Sequence, residues 1–190
     1  MKWQVVMSAN SLTNTKEVLE AYKKYVIQQA RSNLSKGNKN VSKQLYNNIK
    51  GEILEENNYF ILGFQMPDYG FYQDEGVKGS NPSLVKNGKQ KAPNSRFSFK
   101  SKLPPSKFLE QWAKQKNIRL RDEKGKFKKG NYKTIGFILA KRVFAQGIKP
   151  SLFFTKPFEA GYKKFIDTDL IKAFGSDIDT LIDYTLTKWN

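Results

Sequence analysis

The positive charge of this 190-residue chain is concentrated in its middle third. Residues 79 to 149 carry nineteen Lys and Arg residues against three Asp and Glu residues, and so hold +16 of a formal net charge of +17. Uniform tuning of solubility would not separate charge in this way. We therefore expect one domain over residues 1–190 with a basic, loop-rich insertion at 79–133, and we expect that insertion to face something acidic.

The composition excludes several classes of protein. Aromatic residues number 14 Phe, 9 Tyr and 3 Trp, so there is enough apolar area for a core. There is no cysteine, which excludes disulfide staples, thiolate metal sites and a thiol nucleophile. Histidine, the commonest general base near neutral pH and the commonest metal ligand, is also missing. We expect a protein that is not an enzyme and needs no cofactor or metal.

The apolar stretches are short. The longest, Tyr59 to Phe64 and Ile135 to Ala140, are far below the roughly 20 residues that a membrane helix needs. The first residues lack the basic start and apolar run of a secretion signal. The sequence thus predicts no membrane partner, and a protein kept in the cytoplasm or in something assembled there.

The densest basic segment is Arg119 to Lys133, in which two aromatic rings lie among seven basic and two acidic residues. Such a mixture suits a phosphate backbone, because cations release counterions while rings can stack on bases. A solvated loop that keeps the protein soluble is the alternative interpretation. The candidate contacts to DNA or to an acidic partner are Arg119, Arg121, Lys124, Lys126, Phe127, Lys128, Lys129 and Lys133.

The first part of the chain predicts a long helix. Ser11 or Thr13 can cap a helix that runs from about Thr15 to Ser35. Its apolar residues recur at three- and four-residue spacing on one face: Val18, Leu19, Tyr22, Val26, Ile27 and Ala30. Gly37 to Asn40 should end it.

A shorter helix and a hairpin are expected next. Val41 to Asn48 predicts a helical or turn-rich segment with Leu45 and Ile49 inward. Ile53 to Met66 alternates as a β-hairpin does, with Asn57-Asn58 at its turn.

The residues after the hairpin indicate a strand or turn at Tyr69 to Tyr72 and then an extended loop to about residue 95. Ser106 to Lys116 predicts a helix with a Ser cap and a proline-fixed start, with Phe108, Leu109, Trp112 and Ala113 on one face.

Three further elements are expected towards the end of the chain. Tyr132 to Gln146 predicts a helix that ends at Gly147, and Ile148 to Phe154 an extended segment. Asp167 to Lys188 gives a last helix. The fold class is therefore α+β: a long N-terminal helix and C-terminal helices packed on a small antiparallel sheet, with a long basic loop and helix insertion.

A metal-dependent nuclease is a third and weaker interpretation. Asp68 lies next to a strand, and Asp74, Glu75 and Lys78 follow shortly after. In the restriction-like pattern the second acid stands two residues before the lysine, where this chain has Gly76. The acids are better explained as turn and loop residues.

Three stretches together resemble the tail-completion or neck proteins of long-tailed bacteriophages. These are Val41 to Ile49, with its Leu before a small or polar residue and Ile; Tyr69 to Gly76, with Tyr, a small residue, an aromatic residue, an acid and Gly; and Gly147 to Ala160, with Gly, Ile, Pro, aromatics and Ala. The residues that match the pattern of the last two stretches are Tyr69, Gly70, Tyr72, Glu75, Gly76, Gly147, Pro150, Phe154, Pro157 and Ala160.

The resemblance implies a virion structural protein, assembled in the host cytoplasm, that joins the connector to the tail. Such proteins form a closed ring on the phage axis, so the implied partners are further copies in a sixfold or twelvefold ring, the proteins near the portal, and tail proteins. Closed cyclic symmetry requires that one face of each subunit meets a different face of the next. DNA passing through the neck is one candidate partner for the basic segment, and an acidic protein is the other.

Overall fold

The fold comes from a computed structural model that describes residues 12–37, 43–56, 59–128 and 130–187. The chain divides into two compact units. The first unit takes its described residues from Met1–Asn40, Gln44–Pro67 and Phe153–Asn190, and the second from Val41–Lys43 and Asp68–Leu152. The second unit is thus inserted in the sequence of the first, and the predicted insertion at 79–133 lies wholly within it. No helix in the described part of the chain is long and apolar enough to cross a membrane.

The first unit is built on the long helix α1, Thr13–Lys36, as predicted. Its buried side chains recur every three or four residues along one face: Thr15, Leu19, Tyr22, Val26, Ala30 and Leu34. Gly37 ends the helix, its N–H bonding to carbonyls of the last turn.

The predicted cap of α1 is wrong at Thr13, which is the first helical residue. Leu12 precedes it without a side-chain cap, and Ser11 lies outside the described residues. The amino end is closed instead by Asp177, which is distant in sequence and accepts hydrogen bonds from Asn14 and Thr15.

A short helix and a hairpin follow α1. The short helix α2, Gln44–Asn48, buries Leu45, and Ile49 just after it is buried too, as expected. Both belong to one apolar cluster: Ala30, Leu34, Leu45, Ile49 and Phe153. Strands β1, Lys50–Glu56, and β2, Tyr59–Gln65, pair antiparallel from Lys50 opposite Gln65 to Glu56 opposite Tyr59, which confirms the hairpin; its Asn57-Asn58 turn lies outside the described residues.

The first unit closes with three consecutive helical segments. These are α7 (Thr155–Gly161), a π-helical segment (Tyr162–Leu170) and α8 (Ile171–Thr187), so helix begins twelve residues before the predicted Asp167. The ring centroid of Phe64 in the hairpin lies 5.4 Å from that of Phe154 and 6.0 Å from that of Phe158. These edge-on contacts pack the C-terminal helices on the small sheet, as expected.

The second unit begins with a helix where a strand or turn is predicted. Helix α3, Tyr69–Glu75, ends at Gly76, whose φ of +74° is readily adopted by glycine alone. Strand β3, Val77–Lys78, then pairs antiparallel with β4, Gly147–Ile148. Aromatic residues favour strands, and Tyr69 to Tyr72 contains three of them. The strand nevertheless begins only at Val77, where β3 pairs with β4, and the aromatic residues belong to the helix before it.

The segment predicted as an extended loop to residue 95 is more ordered than its Gly and Pro content indicates. It contains the single turn α4, Ser83–Lys86. The buried Gln90 side chain accepts a hydrogen bond from Gly79 N at 3.0 Å and donates one to Gly79 O at 2.8 Å. A side-chain amide thus replaces the strand partner that this backbone lacks.

The remaining helices of the second unit are α5, Ser106–Gln115, and α6, Tyr132–Gln146, both as predicted. Pro105 precedes α5 with no side-chain cap, so the expected Ser cap is wrong. Asn131 caps α6, accepting a hydrogen bond from Thr134 N at 2.8 Å. With these helices and two small antiparallel sheets, the protein has an α+β fold.

Candidate contact surfaces

The basic segment forms a short hairpin in the second unit. Arg121 pairs antiparallel with Phe127, and Lys128 N donates to Leu120 O at 2.9 Å. The turn is closed by the Asp122 carboxylate, which accepts from Lys126 N at 2.8 Å and from Lys124 N at 3.0 Å. Asp122, one of two acids in the segment, therefore stabilises the turn on which Lys124 and Lys126 lie.

Phe127 lies under two guanidinium groups of this hairpin. The Cζ atoms of Arg121 and Arg119 lie 4.4 and 5.7 Å from the ring centroid. The ring is still 62% exposed. Cation–π attraction at exposed sites is worth about 0.5–1 kcal/mol, enough to favour one orientation of each guanidinium. The Phe127 ring thus holds the two guanidinium groups close together on the surface of the hairpin.

The predicted contact residues are only partly brought together. Arg119, Arg121 and Phe127 are in contact, and Lys124, Lys126 and Lys128 are exposed on the same hairpin. The exposed Lys133 belongs to the first turn of α6. Lys129 lies outside the described residues. We refer to residues 119–128 as the basic hairpin.

Helices α5 and α6 approach closely at Gly136. A Cβ there would lie 2.6 Å from Ser106 O and 2.9 Å from Glu110 N, and Ala113 is fully buried. Small residues therefore fill the contact between the helices. The sequence places Phe108 and Trp112 on the same helix face as Ala113, but Phe108 is 70% exposed and Trp112 is also exposed, so only part of that face is buried.

Helix α6 exposes a second apolar pair, Phe137 and Ile138. One turn later come Lys141 and Arg142, which are exposed as well. The Nζ of Lys141 lies 4.7 Å from the centroid of the Phe137 ring. We call these four residues the α6 face; it combines apolar and cationic side chains.

Helix α8 of the first unit carries a different apolar stripe, at three- and four-residue spacing: Ile171, Phe174, Ile178 and Ile182. Ile178 is partly buried, and the other three are exposed. Ile171 is 68% exposed, and Phe174 and Ile182 are about half exposed. Asp179 and Asp183, both exposed, follow the last two isoleucines directly. We call these six residues the α8 face; it combines apolar and acidic side chains.

The inward side of α8 carries Asp177, which is only 3% exposed. Burial raises the pKa of this carboxyl, but hydrogen bonds from Thr15 and Asn14 outweigh burial, so the net pKa is below the ordinary value. The carboxylate is therefore held charged and turned inward, which leaves the α8 face outward.

Two of the motif stretches meet in the second unit. A Cβ on Gly76 would clash with Ile148 O and lie 2.7 Å from Pro150 N, and a Cβ on Gly147 would clash with Val77 O. Both positions also have positive φ. The glycines are thus required twice over, for space and for conformation.

Two other motif residues of α3, Tyr72 and Glu75, have partners in the second unit. Tyr69 is 45% exposed, and its partial burial raises its pKa. The ring of Tyr72 meets Phe97 edge-on at 4.7 Å, and Glu75 pairs with Arg96 at 2.5 Å. Gly70 is buried within the helix.

The last motif residues belong to the first unit. Phe154 packs on the hairpin, Pro157 is buried in the first turn of α7, and Ala160 is exposed.

The acids considered for a nuclease do not form a cluster. Asp74 is buried, and its carbonyl accepts hydrogen bonds from Ser151 N at 2.9 Å and Leu152 N at 3.0 Å. Glu75 faces Arg96. Among the described residues, no three acidic side chains lie close enough together to hold a metal ion.

The sequence predicts both helices but not that their apolar residues are exposed. One signal was present: on α6 each exposed apolar residue is followed four positions later by a cation, so both share one side of the helix. Comparison of the chain with protein-family models, curated proteins and solved structures gives no match. The resemblance to phage neck proteins therefore stays a prediction that rests on the three stretches.

Proposed function

We propose that this chain is a virion structural protein that forms a ring at the head–tail interface of a long-tailed phage and joins the connector to the tail. The observation that carries the proposal is the pair of exposed apolar helix faces, one in each unit, on α6 and α8. Contiguous apolar side chains on a protein surface mark contact sites.

Two different faces are what a ring subunit needs. In a closed ring each interface is heterologous, so a subunit presents one surface to the neighbour on one side and another surface to the neighbour on the other side. The α6 face carries cations and the α8 face carries carboxylates, so the two are chemically distinct. A twofold dimer would need only one self-complementary surface.

The motif residues add support. Gly76 and Gly147 are 71 positions apart in the sequence, yet Gly76 closely approaches the backbone of the third stretch, and Gly147 approaches the residues that directly follow the second. The end of the second stretch and the start of the third therefore lie together at the β3–β4 pairing. This supports treating them as parts of one ordered pattern rather than as separate coincidences.

The proposal is tested by finding where the protein is located. We expect cryo-electron microscopy of the phage particle to place six or twelve copies of the chain in a ring between connector and tail tube, as the resemblance implies. Mass spectrometry of purified particles should detect the chain. Purified particles that do not contain the chain would contradict the proposal.

A second candidate, binding of nucleic acid without sequence specificity, is favoured by the basic hairpin. Its exposed lysines lie on the same hairpin as the Phe127 ring, which two arginines contact, and this combination suits a phosphate backbone. The two functions are compatible, because DNA passes through a neck. Tight phosphate binding would hinder that passage, so we expect weak contacts there.

A further inference from the structure

The charge on the α6 face has a single sign. Helix α6 contains Lys133, Lys141 and Arg142 and no acid. Lys141 and Arg142 lie one turn from Phe137 and Ile138, so any surface that covers the apolar pair also meets the cations. A partner that covers this face without an anion would leave two cations poorly solvated.

The α8 face has the opposite sign. Helix α8 contains three carboxylates, Asp177, Asp179 and Asp183, against one cation, Lys172, in its first turn. Asp177 bonds inward to Thr15 and Asn14. Asp179 and Asp183 are exposed and directly follow Ile178 and Ile182. The two exposed carboxylates are one turn apart, the same spacing that separates the cations of α6 from their apolar partners.

We infer that the α8 face of one subunit docks on the α6 face of the next copy of this chain. The inference rests on the ring proposed above and identifies its interface. Phe137 and Ile138 would pack against Ile178 and Ile182, while Lys141 and Arg142 meet Asp179 and Asp183. Two α6 faces would place cations against cations, and two α8 faces carboxylates against carboxylates. The charges thus reject both symmetric pairings and favour the heterologous one, which propagates into a ring.

Paired charge reversals test this inference. The α6 variant carries Lys141→Glu and Arg142→Glu, and the α8 variant carries Asp179→Lys and Asp183→Lys. Each variant alone faces like charges at every interface, so we expect association to weaken about tenfold or more. An equimolar mixture restores opposite charges at every interface if the two variants alternate, and alternation closes in a ring of even number. We therefore expect the mixture to recover the assembly in native mass spectrometry, with equal numbers of each variant.

The matched control is Lys24→Glu with Lys163→Glu, which makes the same change of charge at two exposed lysines of the first unit and should leave assembly unchanged. Circular dichroism verifies that every variant is folded. Wild-type rings whose assembly neither reversal weakens, or a mixture that fails to recover, would overturn the inference and leave the ring itself standing. A wild-type chain that is monomeric in solution would overturn the inference, and a chain that is also absent from particles would overturn the proposed function.

Discussion

The Asp177 carboxylate in α8 closes the first turn of α1 through Thr15, its Oδ2 lying 2.8 Å from Thr15 N and 2.7 Å from Thr15 Oγ1. Its Oδ1 accepts from Asn14 N at 3.1 Å and from Asn14 Nδ2 at 2.8 Å. Four donors thus converge on one buried carboxylate, which also sits where the helix dipole favours negative charge. This contact joins the beginning and the end of the first unit and fixes which side of α8 faces outward.

Replacing Asp177 by Ala should destabilise the protein by about 2 kcal/mol, the upper range for loss of a helix cap, because the Thr15 N–H and hydroxyl lose their partner. Urea unfolding followed by circular dichroism measures the change. The matched control is Asp167→Ala at an exposed carboxylate of the preceding π-helical segment, which should change stability by less than about 0.5 kcal/mol. Equal losses for the two variants would contradict the role assigned to Asp177.

The same carboxylate predicts a dependence on pH. Its pKa is lowered in the folded state, so its contribution to stability is fully present above the unfolded value of about 3.9 and is lost as pH falls through the folded pKa. We expect wild type to lose more stability than Asp177→Asn between about pH 5 and pH 2. Urea unfolding at each pH measures the free energy of unfolding. If it fell equally in the two proteins over this range, protonation of Asp177 would not be linked to folding.

Tyr22 predicts an effect at the alkaline end. Burial, with a smaller contribution from Tyr162, raises the pKa of Tyr22 to about 12, and its hydroxyl donates to Phe158 O at 3.1 Å. Because the folded pKa exceeds the unfolded value of about 10, stability is fully present below pH 10 and falls as pH rises towards 12. The Tyr22→Phe variant should lose less stability over that interval, measured by urea unfolding. If the free energy of unfolding fell as steeply between about pH 10 and pH 12 in this variant as in wild type, Tyr22 would not be the cause of the loss.

Gly136 and Gly175 form a matched pair of helix glycines. A methyl group at Gly136 meets the backbone of α5, so Gly136→Ala should destabilise by about 1–3 kcal/mol. At Gly175 nothing lies within 4 Å of the added carbon, so Gly175→Ala should stabilise by roughly 0.5–1 kcal/mol through helix propensity. Thermal unfolding measures both. A stabilised Gly136→Ala variant would mean that α5 and α6 are further apart than described.

The basic hairpin predicts salt-dependent binding to single-stranded DNA. Substituting Lys124, Lys126 and Lys128 with Ala should weaken binding and reduce the slope of log affinity against log salt by up to about 0.7 for each lost phosphate contact. The control substitutes three exposed lysines of the first unit with Ala, namely Lys24, Lys36 and Lys163. Fluorescence anisotropy across a salt series measures the slopes, and equal slopes for both triple variants would rule out the hairpin as the binding site.

The elements that local periodicity determines were predictable. Helices α1, α5 and α6 and the β1–β2 hairpin follow from spacing, capping and turn residues. Contacts distant in sequence were not predictable: the Asp177 cap on Thr15 spans 162 positions, and α3 stays helical because β3 pairs with β4. Exposure of Phe108 could not be predicted either, since an apolar stripe does not reveal which part of it a neighbour covers.

The candidate contact surfaces were predictable in charge but not in shape. The sequence indicates a basic segment. The contact of Arg119 and Arg121 with the Phe127 ring, in contrast, depends on the turn that the Asp122 carboxylate stabilises. The α8 face required knowledge of which side of the helix Asp177 turns inward. Side-chain periodicity predicts an apolar stripe on α8, but the packing of α1 against α8 determines which side of α8 is exposed.

The central claim is that the chain assembles into a closed ring through two different faces. Native mass spectrometry of the purified protein over a series of concentrations tests it most directly. The account predicts a discrete species of six or twelve subunits, with no stable twofold dimer. A chain that remains monomeric throughout, or that stops at a dimer, would contradict it.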